Sequence, residues 1–218
     1  MVATGRRMGA HGLVAATEGN LSVRLPDDRL LVTPSGVRKD ELEPGDLVVV
    51  ALAAPGATAA GSTSISGGHR PSSDIAIHRA VQAARRDVLA VAHAHPPATL
   101  ALTLAGERAD PEDLPETALF LPRLPFVPFA SPGSDELADR IAAAFAEAPA
   151  PGPGAVLLER HGAVAVGSRP ANEVGAGTWV DAAVAALGQA VDRLELVEVL
   201  CRSTRDALLI RAARRSAG

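Results

Sequence analysis

Residues 88–97 read VLAVAHAHPP and carry the strongest structural signal in this 218-residue chain. The aliphatic run and the two prolines that stop it are typical of a buried strand. Side chains two apart on a strand point to the same face, so we expect His93 and His95 to lie side by side where the strand ends. On this pair alone, two solvated histidines are the simpler interpretation, because two ligands do not close a metal site.

Periodicity elsewhere in the chain predicts alternating strands and helices. Four more short aliphatic runs predict strands, at residues 30–33, 47–50, 155–158 and 163–166. Helical spacing predicts three helices, over 73–86, 134–147 and much of 171–214. Segments rich in glycine, proline or serine predict a loop or wide hairpin at 53–68, an irregular crossover at 110–133 and a turn at 148–154. Strands interleaved with helices indicate a layered α/β or α+β domain.

Length and composition limit the class of protein. At about 150 residues per domain, one domain over residues 1–218 is expected. A hydrophobic content of 47% with 21% charged residues is typical of globular proteins. A net charge of -4 and 2% aromatic residues argue against a nucleic-acid partner. No apolar run is long enough to span a membrane and no signal peptide is recognisable, so a soluble cytoplasmic protein is expected. Cys201 is the only cysteine, which excludes a thiolate metal site.

A third histidine strengthens the metal interpretation. His161 lies in the sequence Glu-Arg-His-Gly at 159–162, between two predicted strands. Glycine after it allows the backbone to come close to a neighbour or a ligand. A turn histidine by itself is usually a surface residue. Catalytic zinc sites, however, commonly use three protein ligands and leave one position open, and imidazole suits zinc and similar ions.

Asp74 is the candidate carboxylate. It opens a predicted helix after Pro71-Ser72-Ser73. As an N-terminal acid it would interact with the helix dipole, a contribution of about 0.3–1 kcal/mol. Alternatively, it is a general acid and base whose pKa a nearby metal controls. His78 follows one helical turn later and is interpreted as structural.

Three small polar clusters suggest an anion site. They occupy residues 17–20, 33–36 and 71–73. Each cluster alone is typical of an ordinary turn or helix cap. Together, backbone N–H groups and serine hydroxyls could hold a phosphate without lysine or arginine.

Taken together, these segments resemble the class II aldolase/adducin family, in a pattern similar to the bacterial L-fuculose-phosphate aldolases. The matching segments follow the family's order, at 19–24, 31–36, 71–74, 93–95 and 161–162. The resemblance implies a three-layer α/β/α fold with a central, largely antiparallel sheet. It also implies a homotetramer with active sites at subunit interfaces.

The resemblance also implies roles for individual residues. The metal ligands would be Asp74, His93, His95 and His161, holding zinc or another divalent ion such as manganese or cobalt. Asp74 occupies the position of the aldolases' glutamate and would be the acid and base. The substrate phosphate would bind at Gly19, Asn20, Ser35, Gly36, Ser72 and Ser73.

The expected activity is metal-dependent cleavage of a ketose phosphate to dihydroxyacetone phosphate and an aldehyde. The Pro-Ser-Ser-Asp sequence at 71–74 is similar to the L-ribulose-5-phosphate 4-epimerase branch of the family. A methylthioribulose-phosphate dehydratase is a further enzymatic alternative. The remaining alternative is a non-catalytic adducin-like assembly domain. Its best argument is that the chain has no tyrosine, although tyrosines assist proton transfer in the aldolases and epimerases. The retained set of metal ligands argues against it, because such domains tend to lose that set.

Overall fold

One mixed sheet organises the chain in a computed structural model, which describes residues 1–52, 64–66, 68–147, 152–169 and 178–217. Its strands are β1 Asn20–Leu25, β2 Arg29–Val32, β3 Val48–Ala51, β4 Ser64–Ser66, β5 Val88–Ala94, β6 Phe126–Val127, β7 Ala155–Leu158 and β8 Gly162–Ser168. Their order is β4-β3-β2-β1-β5-β8-β7-β6. All neighbours are antiparallel except β6 and β7, so the largely antiparallel sheet expected from the resemblance is confirmed.

Helices cover both faces of this sheet. They are α1 Val2–Ala10, α2 Ile75–Ala84, α3 Pro97–Leu104, α4 Pro115–Phe120, α5 Asp135–Phe145 and α6 Trp179–Ser216. The buried side chains of α2 and α5 form one core with the sheet, and those of α1, α3 and α6 form another. The three-layer α/β/α architecture is therefore confirmed. None of the described helices has the length and apolar character needed to cross a bilayer.

The central strand β5 connects the two cores and sets the direction of the first histidine. Every residue of β5 is buried. Ala90 and Ala92 face the α6 core, whereas Val91 faces the α2 and α5 core. Because side chains alternate along a strand, His93 lies on the same face as Val91, toward the start of α2. This placement brings His93 and Asp74 to the same side of the sheet.

Most predicted elements are confirmed within a few residues, and the differences have local causes. The last helix runs through Gly188 without a break. The predicted crossover at 110–133 is wrong as an entirely irregular segment. Pro111 and Pro115 begin a short 3₁₀ helix and α4, because proline's fixed φ suits the first helical turn. Helices α1 and α3 and strands β1 and β6 were not predicted.

Three predicted segments fall partly outside the described residues. Of the loop or wide hairpin at 53–68, residues 64–66 form β4, while 53–63 and 67 are not described. Of the turn at 148–154, residues 148–151 are not described. The same holds for residues 171–177 at the start of the last predicted helix.

Candidate metal centre and anion loops

His93 is fixed in place by its neighbours in the sheet. It is completely buried and pairs with Asn20 on β1 and Val164 on β8. Its Nδ1 donates a hydrogen bond of 2.9 Å to the carbonyl oxygen of Ala163. A neutral ring that donates through Nδ1 has its lone pair at Nε2, and this atom lies 3.0 Å from Nε2 of His95. Backbone contacts therefore leave the Nε2 lone pair of His93 available on the side facing His95.

The turn between β7 and β8 brings His161 to the same place. Gly162 has a φ of +102°, and a Cβ on it would overlap the carbonyl oxygen of Ala94 and lie 3.0 Å from the Cα of His95. Only glycine allows this close approach. Arg160 also adopts a left-handed conformation, with a φ of 55°. The Nδ1 atom of His161 is buried without a hydrogen-bond partner among the described residues.

The three imidazoles fit a divalent cation. One ring nitrogen from each of His93, His95 and His161 lies within 4.8 Å of the others. Burial lowers the pKa of His93 to about 3, with His95 contributing, and burial also lowers the pKa of His161. These two rings are therefore neutral at pH 7, the state in which imidazole binds a metal. A buried ring nitrogen without a partner is also the kind of donor that a cation would satisfy.

Asp74 lies at the edge of this cluster and its side chain does not cap its helix. It is the N-cap residue of α2, but its carboxylate makes no capping hydrogen bond. Instead, Oδ2 accepts a 2.8 Å hydrogen bond from Nδ2 of Asn20 and lies 3.9 Å from Nε2 of His93. Burial would raise the pKa of Asp74, but the charge that the nearby imidazoles carry when protonated and the Asn20 hydrogen bond outweigh it and lower that pKa. The carboxylate is thus ionised and directed toward the histidines.

The predicted anion loops come together beside α2. The backbone N–H of Ser35 donates to the carbonyl of Arg70 at 2.9 Å, and that of Ser72 donates to Thr33 at 3.1 Å. These bonds join the loops at 33–36 and 70–73. The predicted phosphate residues differ in exposure: Ser35, Gly36 and Ser73 are exposed, whereas Gly19, Asn20 and Ser72 are buried.

Asn20 has a different environment from the other predicted phosphate residues. Its amide nitrogen bonds to Asp74, and its Oδ1 lies 2.6 Å from Nε2 of His78. The side chain of Asn20 therefore serves the carboxylate. All six residues of the set remain predictions for a phosphate site.

Three residues that the sequence did not single out bond to segments of the site or lie beside it. Lys39 is the only lysine in the sequence, and its buried amine donates to the carbonyls of Thr17 and Val37. Glu198 is buried and accepts hydrogen bonds from the first turn of α3, directly after His95. Glu18 places a carboxylate oxygen 3.6 Å from Nδ1 of His95. Glu18 and Glu198 belong to no recognisable motif in the sequence. Lys39 has one distinguishing feature, since the only lysine of the chain follows the Pro-Ser-Gly segment at 34–36.

The fold and the site together describe a three-layer α/β/α domain in which three histidines that could hold a metal ion lie beside a carboxylate. Residues 1–204 match the family described as the class II aldolase and adducin N-terminal domain. The chain belongs to this family. The resemblance stated from the motifs is confirmed.

Individual relatives have different activities. The chain is 38% identical over 110 residues to a methylthioribulose-1-phosphate dehydratase of Granulibacter bethesdensis, and the match covers 50% of the chain and 48% of that protein. The chain thus spans about half the length of that relative. It is 30% identical over 173 residues to a 3-oxo-tetronate 4-phosphate decarboxylase of Haemophilus influenzae, covering 77% of the chain and 75% of that protein.

Among solved structures, an L-fuculose-1-phosphate aldolase from Thermus thermophilus superposes with a TM-score of 0.74 at 30% identity. The superposition covers 99% of the chain and 94% of the aldolase. These relatives are named as a dehydratase, a decarboxylase and an aldolase, which supports an enzymatic activity for this chain.

Proposed function

We propose that the protein is a divalent-metal-dependent lyase that cleaves a ketose phosphate to dihydroxyacetone phosphate and an aldehyde. The observation that carries the proposal is the convergence of three histidine nitrogens within 4.8 Å, with an ionised aspartate 3.9 Å from one of them. His93, His95 and His161 would hold the ion, preferably zinc. A bound divalent cation would act as a Lewis acid on the substrate carbonyl and stabilise negative charge there.

Asp74 supplies the proton chemistry. Its Oδ2 is engaged by Asn20, while its Oδ1 accepts no hydrogen bond from the described residues. That free oxygen can take a proton from the carbon next to the substrate carbonyl in the direction of aldol formation and return it during cleavage. The lowered pKa keeps the carboxylate ionised and ready to accept the proton. Aspartate is shorter than the aldolases' glutamate, so the substrate carbon must approach the α2 helix more closely.

The anion loops would position the substrate. Exposed Ser35, Gly36 and Ser73 border the start of α2, where backbone N–H groups favour a phosphate. Binding the phosphate away from the reacting bond aligns the carbonyl with the histidines and the α-carbon with Asp74. This arrangement favours an enzyme over a scaffold, because an assembly domain has no need for three converging imidazoles.

Dehydration of a ketose 1-phosphate is the second candidate. It is favoured by the 38% identity to a methylthioribulose-1-phosphate dehydratase over half of the chain. Dehydration begins when a base removes the proton from the carbon next to the carbonyl, and the hydroxyl on the following carbon then leaves as water. Asp74 would remove that proton in dehydration, whereas in aldol cleavage it would give a proton to the same carbon after the aldehyde has left.

The test combines metal analysis with product detection. Protein purified without added metal should contain about one divalent ion per chain. A panel of ketose 1-phosphates is then assayed for dihydroxyacetone phosphate release and, separately, for loss of water. In D₂O, the aldolase should also exchange one carbon-bound proton of dihydroxyacetone phosphate without any aldehyde present.

Two histidine variants test whether metal binding and turnover depend on the histidine cluster. His95→Ala should lose most of the bound metal and all turnover. His11→Ala is the control, since His11 is exposed and its ring contacts Glu195 on α6. Metal content and turnover that survive in His95→Ala would refute the ligand assignment, whereas water loss without dihydroxyacetone phosphate release would select the dehydratase.

The proposal extends to assembly and location. Assembly into a homotetramer would cover apolar side chains that α3, α4 and α6 expose, among them Leu104, Leu119, Phe120 and Val199. A cytoplasmic location is part of the same proposal. Light scattering should then give four times the chain mass of 22.2 kDa. A mass of one chain under the conditions of the activity assay would contradict the tetramer.

A further inference from the structure

A continuous row of polar side chains runs from the interior of the sheet to Asp74. Nε2 of Gln82 lies 2.9 Å from Oγ of Ser22, which lies 2.7 Å from Nδ1 of His78. On the other side of the ring, Nε2 of His78 lies 2.6 Å from Oδ1 of Asn20. Nδ2 of Asn20 then lies 2.8 Å from Oδ2 of Asp74. The first four residues are at most 3% exposed. In such surroundings each donor must meet an acceptor, because an unpaired buried polar group is costly.

The carboxylate fixes the direction of every hydrogen bond in the row. An ionised carboxylate only accepts, so Asn20 must turn its NH₂ group toward Asp74. Its Oδ1 then faces His78 and can only accept, which requires a proton on Nε2 of His78. A neutral ring protonated at Nε2 leaves Nδ1 as an acceptor for the hydroxyl of Ser22. Ser22 in turn accepts from the NH₂ group of Gln82.

We infer that His78 is a positioning residue for Asp74: as the Nε2–H tautomer it locks the amide of Asn20, which in turn holds the carboxylate toward the histidine cluster. This inference rests on the proposed function of Asp74 as the acid and base. The ring nitrogens of His78 bond to Ser22 and Asn20. It acts through Asn20, and it lies one turn along α2 from the aspartate that it orients.

Removing His78 should release the amide. Without a donor at its oxygen, the Asn20 amide can rotate by 180° and present Oδ1 to the carboxylate, which repels it. Asp74 would then leave its orientation toward His93. Residues that orient catalytic and metal-binding groups through hydrogen bonds typically contribute about 10- to 100-fold to activity. The loss should appear in kcat, since the anion loops and the histidines are unchanged.

The kinetic test compares two replacements of His78 in the metal-loaded chain of 218 residues. His78→Leu removes both ring nitrogens and should lower kcat by about 10- to 100-fold, with KM and metal content unchanged. His78→Gln keeps a donor near the Nε2 position and should restore kcat to within a few-fold of wild type. Thr117→Val is the control: this buried hydroxyl donates to Pro111 in the 110–133 segment, so its removal should leave kcat unchanged.

A direct readout of the tautomer keeps the inference testable if a variant does not fold. In ¹⁵N-histidine-labelled protein at pH 7, His78 should show a protonated Nε2 and an unprotonated Nδ1, with its signal assigned by its absence in His78→Gln. A proton on Nδ1, or wild-type kcat in His78→Leu, would overturn the inference while the proposed function stands. If the wild type neither turns over substrate nor exchanges protons, the proposed function fails, and the tautomer still decides the hydrogen-bond direction.

Discussion

The histidine cluster and the anion loops are neighbours, yet the protein holds them by different means. His93 is in a buried central strand, and Gly162 presses the His161 turn against the end of that strand. The loops at 33–36 and 70–73 are partly exposed and joined by two backbone hydrogen bonds. Sheet register therefore dictates the arrangement of the histidines, whereas a few local bonds shape the loops that are predicted to bind phosphate. Damage to the first should appear in metal content, and damage to the second in substrate affinity.

Two glycines at left-handed positions give the largest expected contrast. In Gly162→Ala, the new Cβ would overlap the Ala94 carbonyl, so the turn must move away from β5. We expect a loss of more than about 2 kcal/mol of stability and of most bound metal. In Gly36→Ala, the Cβ meets nothing within 4 Å, and only the left-handed backbone costs about 1–2 kcal/mol.

Urea unfolding and metal analysis of both variants check this contrast. Gly36→Ala should retain wild-type metal content. If Gly162→Ala bound metal as tightly as Gly36→Ala, the close packing of the turn would not be what aligns His161.

Replacing Lys39 tests the predicted anion loops in the way that replacing Gly162 tests the histidine cluster. Its amine connects the 17–20 segment to the loop that contains Gly36, through the carbonyls of Thr17 and Val37 at 3.0 and 2.5 Å. Burial lowers the pKa of Lys39, and the two carbonyls keep the amine satisfied. Lys39→Met should leave both carbonyls without their donor and cost about 1–3 kcal/mol. The KM for a phosphorylated substrate should rise while metal content stays constant.

The matched measurement uses a phosphate-free ketose. Loss of activity in Lys39→Met should be confined to the phosphorylated substrate, because the amine bonds to the backbone of the segments that are predicted to bind the phosphate. An equal loss for both substrates, or a fall in metal content, would contradict the separation of the two regions.

Burial of His78 makes the stability of the metal-free protein depend on pH. Burial lowers the pKa of His78 to about 4 from its ordinary value of 6.5, despite the opposing charge of Asp74. Between these values the unfolded chain binds a proton that the folded protein refuses, so stability falls as pH decreases from about 6.5 toward 4. At pH 5 the loss from this group is roughly 2 kcal/mol.

His78→Gln isolates that contribution. The variant should lose roughly 2 kcal/mol less than wild type between about pH 7 and pH 5 in urea unfolding of the metal-free proteins. The two proteins share every other titratable side chain, so the difference between their pH dependences reports on His78. Parallel pH dependences would mean that His78 is not buried as a neutral ring.

The contrast between regions also explains what the sequence could predict. The strand at 88–94 and the turn at 159–162 carry local signals, namely aliphatic runs, prolines and glycine, so the converging histidines could be proposed from spacing and motif order. The separation of His95 and His161 along the chain is bridged by the pairing of β5 with β8. That pairing depends on long-range register, which no local pattern encodes.

The supporting residues could not be predicted for the same reason. His78, Lys39 and Glu198 act through contacts with residues far away in the sequence or with backbone carbonyls and amides. A buried histidine in a helix has the same sequence pattern whether it fills space or orients an asparagine. For Asn20 the motif predicts a place in the phosphate site, but it gives no sign of the hydrogen bond to Asp74, which depends on the pairing of β1 with β5 at His93.

The smallest expected effect comes from Glu198 on α6, which bonds to the first turn of α3, directly after the strand β5 and His95. Its carboxylate accepts hydrogen bonds of 3.0 Å from the backbone N–H groups of Ala98 and Thr99, in the first turn of α3. Because α3 begins two residues after His95, this contact holds the end of the ligand-bearing segment. Glu198→Gln should weaken that cap by about 1 kcal/mol and lower metal affinity several-fold.

Ser134→Ala provides the comparison that separates stability from positioning. Ser134 caps α5 through a 3.1 Å hydrogen bond from the N–H of Leu137, in the layer across the sheet from α3 and α6. Its loss should cost a similar amount of stability, about 1 kcal/mol, and leave metal affinity unchanged. Both variants should lose a similar amount of stability, so a difference in metal affinity reports on the position of His95. Equal metal affinities would mean that the Glu198 cap stabilises α3 without positioning His95.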